Sequence, residues 1–154
     1  MKRFLAILAV MACLCLGACA PKTPQDLMAD PSHHIVIKTN YPYLEAAKQF
    51  DVNYHNIIGG LDHVNAWYVE RPDAKMVEYH QRFWRIEGMK YATYAQIREV
   101  DENHSEIDIY SYYYGVYFDI AVCAAIPLST DKSIEVPWLC RPSTRQDGSP
   151  YQSQ

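Results

Sequence analysis

The first twenty residues constrain this chain most, because they determine the compartment in which the rest of it folds. Lys2 and Arg3 give a short positive start, and residues 4–16 form an uncharged, mostly aliphatic run. The small residues and cysteine of the sequence Gly-Ala-Cys, residues 17–19, close that run. A charged, an apolar and a small-residue region in this order are typical of a secretory signal. We therefore predict an exported protein.

Three ways of processing this leader compete. A retained transmembrane helix needs roughly 20 apolar residues, and the apolar run meets Pro21 and Lys22 too early for that. Ordinary secretory cleavage after Ala20 fits the small-x-small pattern, but it would leave Pro21 as the first mature residue, where proline restricts the preceding peptide bond. Residues 16–19, Leu-Gly-Ala-Cys, resemble the lipobox of bacterial lipoproteins. This third way is the one that we predict.

The resemblance to bacterial lipoproteins is confined to residues 1–19. It implies that residues 1–18 are a signal peptide and that Cys19 becomes the first residue, with a diacylglycerol on its sulfur and an acyl chain on its amine. Two or more chains anchor a protein stably, at about 0.8 kcal/mol per buried methylene. Because Ala20 and not an aspartate follows the cysteine, the resemblance implies export to the outer membrane, with the domain facing the periplasm.

The mature chain is acidic and rich in tyrosine. Without residues 1–18 it carries 12 basic and 18 acidic side chains, a formal charge of −6. Such a chain repels phosphate backbones, which argues against a nucleic-acid partner. Its length is that of a single domain with a modest core. Its 13 tyrosines suit sheet surfaces, where the ring packs and the hydroxyl stays in water.

Only two cysteines remain for the folded chain, since Cys13 and Cys15 lie in the leader and Cys19 carries the lipid. An exported protein folds in an oxidising compartment, so we predict a disulfide between Cys123 and Cys140. It would close a loop of about 18 residues and contribute roughly 3 kcal/mol. Two separate buried thiols are the alternative. The chain has no Cys-x-x-Cys sequence, which leaves a thiol-redox or zinc-ribbon function without support.

Prolines and polar residues mark both ends of the mature chain. Residues 19–32 contain three prolines and no apolar period, which predicts a lipidated tether without regular structure, at most about 45 Å long. Residues 141–154 are polar, with two prolines and a glycine, and are predicted to be disordered. The folded domain is therefore predicted at residues 33–140, without any repeat of about 20–50 residues.

Four segments of this domain have a clear periodicity. Residues 34–39 and 63–70 are β-branched or aromatic and predict strands. Residues 43–58 have helical spacing, with a proline before them and two glycines after them. Residues 106–114, with isoleucines at positions 107 and 109, predict another strand.

Two further segments are ambiguous. For residues 75–87 we favour a strand, joined by a tight turn to a strand at residues 90–100, over a helix. For residues 116–126 the alanines favour a buried helix over a strand. We therefore predict an α+β fold, in which an antiparallel β-sheet meander packs against one or two helices in a small single domain.

No motif in the chain indicates catalysis. A Gly-x-Ser-x-Gly elbow and a glycine-rich phosphate loop are both missing from the sequence. Acidic pairs such as Asp62 and Glu70 are what any chain with 18 carboxylates offers. Residues 101–105 alternate like a calcium loop, but Glu106 and Tyr112 stand where an EF-hand needs glycine and a bidentate acid. We predict a solvated hairpin tip there, and no enzyme activity.

The six histidines do not form a metal-binding pattern. Two of them are adjacent and would face opposite ways in a strand, and no spacing places two imidazoles on one face of an element. A transition-metal site assembled by the fold would draw first on His33, His34, His63 and His104, and ordinary surface histidines are the simpler interpretation. We therefore predict no metal site and no cofactor.

The clearest binding feature is the tyrosine-rich sequence at residues 110–117. On a strand, Tyr110, Tyr112 and Tyr114 share one face. If the other face covers the core, these rings form a ladder that could stack on glycan rings or accept an envelope protein. Burial of the rings by the rest of the fold is the alternative.

The predicted function is therefore that of a binding or adaptor module, anchored in the cell envelope by lipid. A small-ligand-binding or metal-binding lipoprotein is one alternative, and an envelope hydrolase is a less favoured one.

Overall fold

The computed structural model describes residues 20–58, 65–85, 88–112, 115–137 and 140. The predicted signal peptide and the predicted disordered tail lie outside these residues. The described ranges contain five strands and three α-helices, with single 3-10 turns at Pro72–Ala74 and Ile126–Leu128. The elements are α1 (Pro24–Ala29), β1 (His33–Thr39), α2 (Tyr43–Ile58), β2 (Asn65–Arg71), β3 (Met76–Arg85), β4 (Gly88–Asp101), β5 (His104–Ser111) and α3 (Val116–Ala125).

The five strands form one antiparallel sheet in the order β1-β5-β4-β3-β2. Strands β2 to β5 follow one another as a meander. The first strand of the chain, β1, pairs with β5, the last strand of that meander. The predicted α+β class and the antiparallel meander are thus confirmed. Both ambiguous segments fold as favoured, as the strand β3 and the helix α3. Asp101 pairs with His104 across the tip between β4 and β5, where the sequence predicted a hairpin.

Helices α2 and α3 pack together on one face of the sheet. The core between them and the sheet includes Phe50 and Tyr54 of α2, Ile120 of α3, and Ile97 and Ile107 of the sheet. Every residue of α3 from position 119 to position 125 is buried. A helix buried on all sides has no apolar stripe, which explains why periodicity alone did not identify this segment.

The disulfide geometry predicted from the sequence is present. The sulfur atoms of Cys123 and Cys140 lie at bonding distance, and their Cα atoms are 5.2 Å apart. Cys123 lies in α3, so this bond connects the end of the described chain to the core helix.

Residues 20–30 are part of the fold, and the prediction of a tether without regular structure is wrong for them. Helix α1 begins at Pro24, the first helical position, where proline is tolerated because its missing N–H would have no intrahelical partner. A capping box closes this end: the Asp26 N–H donates to Thr23 Oγ1 at 3.1 Å, and the Thr23 N–H donates to Asp26 Oδ2 at 3.1 Å. We call residues 20–30 the strap.

The strap is attached to the sheet at two points. The Tyr91 N–H of β4 donates to the Pro21 carbonyl at 3.1 Å. Leu27 of α1 is completely buried against Tyr91 and Tyr94, with Tyr110 at the margin of the contact. This second small core lies on the face of the sheet opposite to α2 and α3.

Candidate functional site

We call the face of the sheet that is turned away from α2 and α3 the open face. Side chains alternate between the two faces along each strand, and the strand registers arrange those of the open face in three rows across the sheet. The strap packs on β4 and β5 and covers part of this face. The aromatic row is His34, Tyr110, Tyr94, His80 and Trp67; the middle row is Val36, Asp108, Gln96, Glu78 and Val69; the charged row is Lys38, Glu106, Arg98, Met76 and Arg71.

The aromatic row consists of one ring from each of the five strands. His34 stacks on Tyr110 with centroids 4.3 Å apart, and at the other end Trp67 stacks on His80 at 5.0 Å. Tyr94 connects the two pairs, at 6.3 Å from Tyr110 and 5.1 Å from His80. Ring pairs at these distances attract one another beyond the burial of their area. The row is therefore continuous from one edge of the sheet to the other.

The strap covers the centre of the aromatic row and leaves its ends accessible. Tyr94 is 1% exposed beneath Leu27, whereas the side chain of His34 is 40% exposed.

Tyr91 adds a further ring to the part of the open face that the strap covers. The sequence predicted Tyr91 on the same face as Thr93, but a register shift between residues 81 and 82 of β3 brings it to the strap side instead.

His80 is held by contacts on several sides. Its Nδ1 lies 3.2 Å from the Tyr91 hydroxyl, and its Nε2 lies 3.6 Å from Glu78 Oε2. Burial lowers the pKa of His80 below its ordinary value, and the nearby Glu78 carboxylate only partly opposes this effect. The fold therefore favours the neutral imidazole.

Two hydrogen-bonded groups connect the rows. Tyr94 donates to Glu78 Oε1 at 2.9 Å and accepts from Gln96 Nε2 at 3.0 Å, and Arg71 pairs with the same Glu78 at 3.1 Å. Burial raises the pKa of Tyr94, so its hydroxyl stays protonated as the donor. Glu78 therefore holds both the buried hydroxyl of Tyr94 and the guanidinium of Arg71.

The second group is centred on Asp108, which is 3% exposed. Arg98 forms a salt bridge to its Oδ2, and His34 Nε2 lies 3.3 Å from its Oδ1. Arg98 also reaches Glu106 Oε2 at 3.5 Å. A buried carboxylate needs such partners. The side chain of Arg98 is itself half-exposed on the open face.

The structure places the predicted tyrosines differently from a ladder along one strand. Tyr110 lies in the aromatic row on the predicted face. β5 ends at Ser111, and the half-buried Tyr112 packs beside the strap instead of continuing the strand. Tyr114 lies outside the described residues. The stacked rings run across the five strands, a direction that depends on register and that sequence spacing does not reveal.

The histidines singled out as metal candidates are separated in the fold. His33 lies beside Phe118, at 5.4 Å between centroids, on the face that carries the helices. His104 bonds to Asp101 at the hairpin tip, at 2.7 Å, and His63 lies outside the described residues. Within the described ranges, no three residues among His, Cys, Asp and Glu are grouped so that they could hold a metal ion.

The structure describes only one member of the acidic pair that was considered for glycoside hydrolysis. Asp62 lies outside the described residues, and Glu70 is exposed on the edge strand β2.

Comparisons with family models, curated proteins and solved structures found no match for this chain. In the part of the chain that the structure describes, no helix is both long and apolar enough to cross a membrane. Function must therefore be inferred from the residues themselves.

The low pKa of His80 predicts a pH dependence of stability. An unfolded histidine titrates near 6.5, and the folded one at lower pH, so the unfolded chain binds the proton first as the pH falls. The contribution of neutral His80 to the free energy of unfolding is complete above about pH 6.5. It is lost as the pH falls through the pKa of the folded residue. Urea unfolding between pH 8 and pH 5 should show this loss, and His80→Phe, which keeps a ring on Trp67, should reduce the slope. Equal slopes would contradict the assignment.

Proposed function

We propose that this chain is a bacterial lipoprotein, anchored to the outer membrane through lipid on Cys19, and that its folded part binds an envelope protein with the open face. The observation that carries the binding proposal is the uncovered part of that face. Its charged row alternates in sign over Lys38, Glu106 and Arg98, and continues through the apolar Met76 to Arg71. Such alternation suits a partner of complementary charge pattern and disfavours a uniformly charged polymer.

Apolar side chains accompany these charges. Val36, in the middle row, is 40% exposed, and Val69 at the other end of the row is half-buried. Arginine and methionine are more frequent in protein interfaces than on the rest of the surface, and the charged row presents Arg98, Arg71 and Met76. Glycan stacking, the other binding mode expected from the tyrosines, has less support, because the strap covers the central rings.

The strap restricts where such a partner can be. Ala20 is 7% exposed and Pro21 is hydrogen-bonded to β4, so the residue after Cys19 is already part of the domain. An acylated Cys19 would therefore hold the domain against the bilayer, without the reach of about 45 Å that an extended tether would provide. The partner that we propose is accordingly one at the membrane surface.

A small-ligand-binding lipoprotein is the second candidate function. One observation favours it, a cleft on the opposite face of the sheet that is described below. For metal binding, the described residues provide no supporting cluster.

Site-specific photo-crosslinking in intact cells of the native host tests the binding proposal. A photo-reactive residue at Val36, on the open face, is compared with one at Val52, which is 47% exposed on the outer side of α2. We expect a discrete protein adduct from position 36 and none from position 52. In addition, Lys38→Glu reverses an exposed charge on the same face and should weaken the adduct several-fold.

Two results would contradict this proposal. Equal labelling from positions 36 and 52 would mean that the open face has no particular partner. An adduct that Lys38→Glu leaves unchanged would mean that the charge pattern does not contribute to recognition.

A further inference from the structure

A cleft of about 390 Å³ lies on the helix side of the sheet, between α2 and the edge strand β2. Its volume is within the range of small-molecule sites. Val77 and Ile97 of the sheet form an apolar floor together with the ring of Tyr79. The cleft is remote from the rows of the open face, because side chains on this face point the other way.

The cleft is open because α2 does not extend over the edge strand. The helix packs on β3, β4 and β5. Leu44 on α2 is 51% exposed and Tyr68 on β2 is 55% exposed, and both side chains line the cleft. The buried residues of α2 are Ala46, Phe50 and Tyr54, so Leu44 does not belong to the core.

The ring of Tyr79 forms part of the buried floor of the cleft. Tyr79 is 3% exposed, and its hydroxyl lies close to the Asp51 carboxylate. Burial, together with the nearby Asp51, raises the pKa of Tyr79, so the hydroxyl keeps its proton. A protonated hydroxyl adds no charge to the cleft, so the charge of the cleft is that of its carboxylates and Lys48.

The charges around the cleft favour a cation. Asp51 and Glu70 line it with carboxylates, and Lys48 is the one lining residue of opposite charge. The accessible ring of Tyr68 adds an aromatic face, which attracts cations. An apolar floor, an aromatic wall and two carboxylates together suit a molecule that carries an ammonium group on an apolar body.

We propose that this cleft binds a small amphipathic organic cation, an amine or quaternary ammonium with an apolar substituent. The substituent lies on Val77 and Ile97, and the ammonium group lies between Asp51, Glu70 and the ring of Tyr68. The proposal does not depend on a partner at the open face, because none of these residues belongs to it.

Calorimetric titration of the full-length chain in neutral detergent tests the ligand class. The probes are benzyltrimethylammonium, the matched anion 3-phenylpropionate and the neutral benzyl alcohol, each also titrated into detergent alone. We expect saturable binding of the cation, at least about tenfold tighter than that of the anion, as expected for one charge-assisted contact. Binding of the anion as tight as that of the cation, or no binding of the cation at millimolar concentration, would overturn the proposal.

Four variants locate the site. Asp51→Asn should weaken cation binding about tenfold, whereas Lys48→Gln, which removes the repulsive charge, should strengthen it. Tyr79→Phe keeps the ring on the floor of the cleft and should leave cation binding nearly unchanged, because a quaternary ammonium forms no hydrogen bond with the hydroxyl. Glu45→Gln, an exposed carboxylate on the same helix outside the cleft, is the control and should change nothing.

These variants also separate binding from folding. A purely structural function of the cleft residues would change the unfolding midpoint and not the affinity, and would not produce opposite effects at Asp51 and Lys48. Such a result, or equal effects of Asp51→Asn and Glu45→Gln, would overturn the proposal.

Discussion

Replacing Cys19 with alanine should remove the acyl groups and the outer-membrane association of this protein completely. The thioether that we propose needs the sulfur atom, and the resemblance of residues 16–19 to a lipobox assigns it to this cysteine. Two or more acyl chains anchor a protein stably in a membrane. Mass spectrometry of the N-terminal peptide from the native host, together with membrane fractionation, measures both effects.

Cys15→Ala is the matched control for this prediction. It removes a thiol four residues upstream, inside the predicted leader, and should leave acylation and fractionation as they are in the unaltered protein. An unacylated N-terminus in the unaltered protein would contradict the prediction, as would cytosolic protein that retains residues 1–18.

The fold was largely predictable because its signals are local. Strands β3, β4 and β5 follow one another with short connections, so alternation and turn residues were enough to indicate an antiparallel meander. Helix α2 has the predicted bounds, since Pro42 precedes it and glycines follow its last residue. Helix α3 was harder, because burial on all sides removes the periodicity that distinguishes a helix from a strand.

The strap is not predicted when its prolines are interpreted only as residues that end regular structure. Pro24 instead occupies the first helical position, where it fits. A signal was present in the sequence: Thr23 is followed three residues later by Asp26, and Leu27 comes next, a capping-box pattern before an apolar residue. That pattern predicts a helix start, but not the tyrosines against which Leu27 packs.

The rows of the open face depend on the strand register, which the sequence did not provide. His34 and Trp67 are at opposite edges of the sheet and belong to one aromatic row only because Tyr110, Tyr94 and His80 are aligned between them. A shift of one residue in any strand would have placed its ring on the other face. The cleft beside α2 likewise depends on how far the helix extends across the sheet, which is a property of packing.

The strap connects the proposed anchor to the aromatic row. Its first residues are hydrogen-bonded to β4, and its helix covers the centre of the row. The position of a lipidated Cys19 would therefore restrict the position of the sheet, because only a short, folded segment separates them. Leu27 holds this segment, since it is the one residue of α1 that is completely buried.

Leu27→Ala should lower the free energy of unfolding by about 2–5 kcal/mol, the usual cost of truncating a fully buried leucine to alanine. The cavity would lie between Tyr91 and Tyr94, and the six-residue helix α1 is too short to persist without this contact. Urea unfolding measures the loss, and limited proteolysis should show earlier cleavage within residues 20–30. Gln25→Ala, an exposed change in the same helix, is the control. Equal unfolding midpoints for the two variants would mean that the strap contributes nothing to the stability of the sheet.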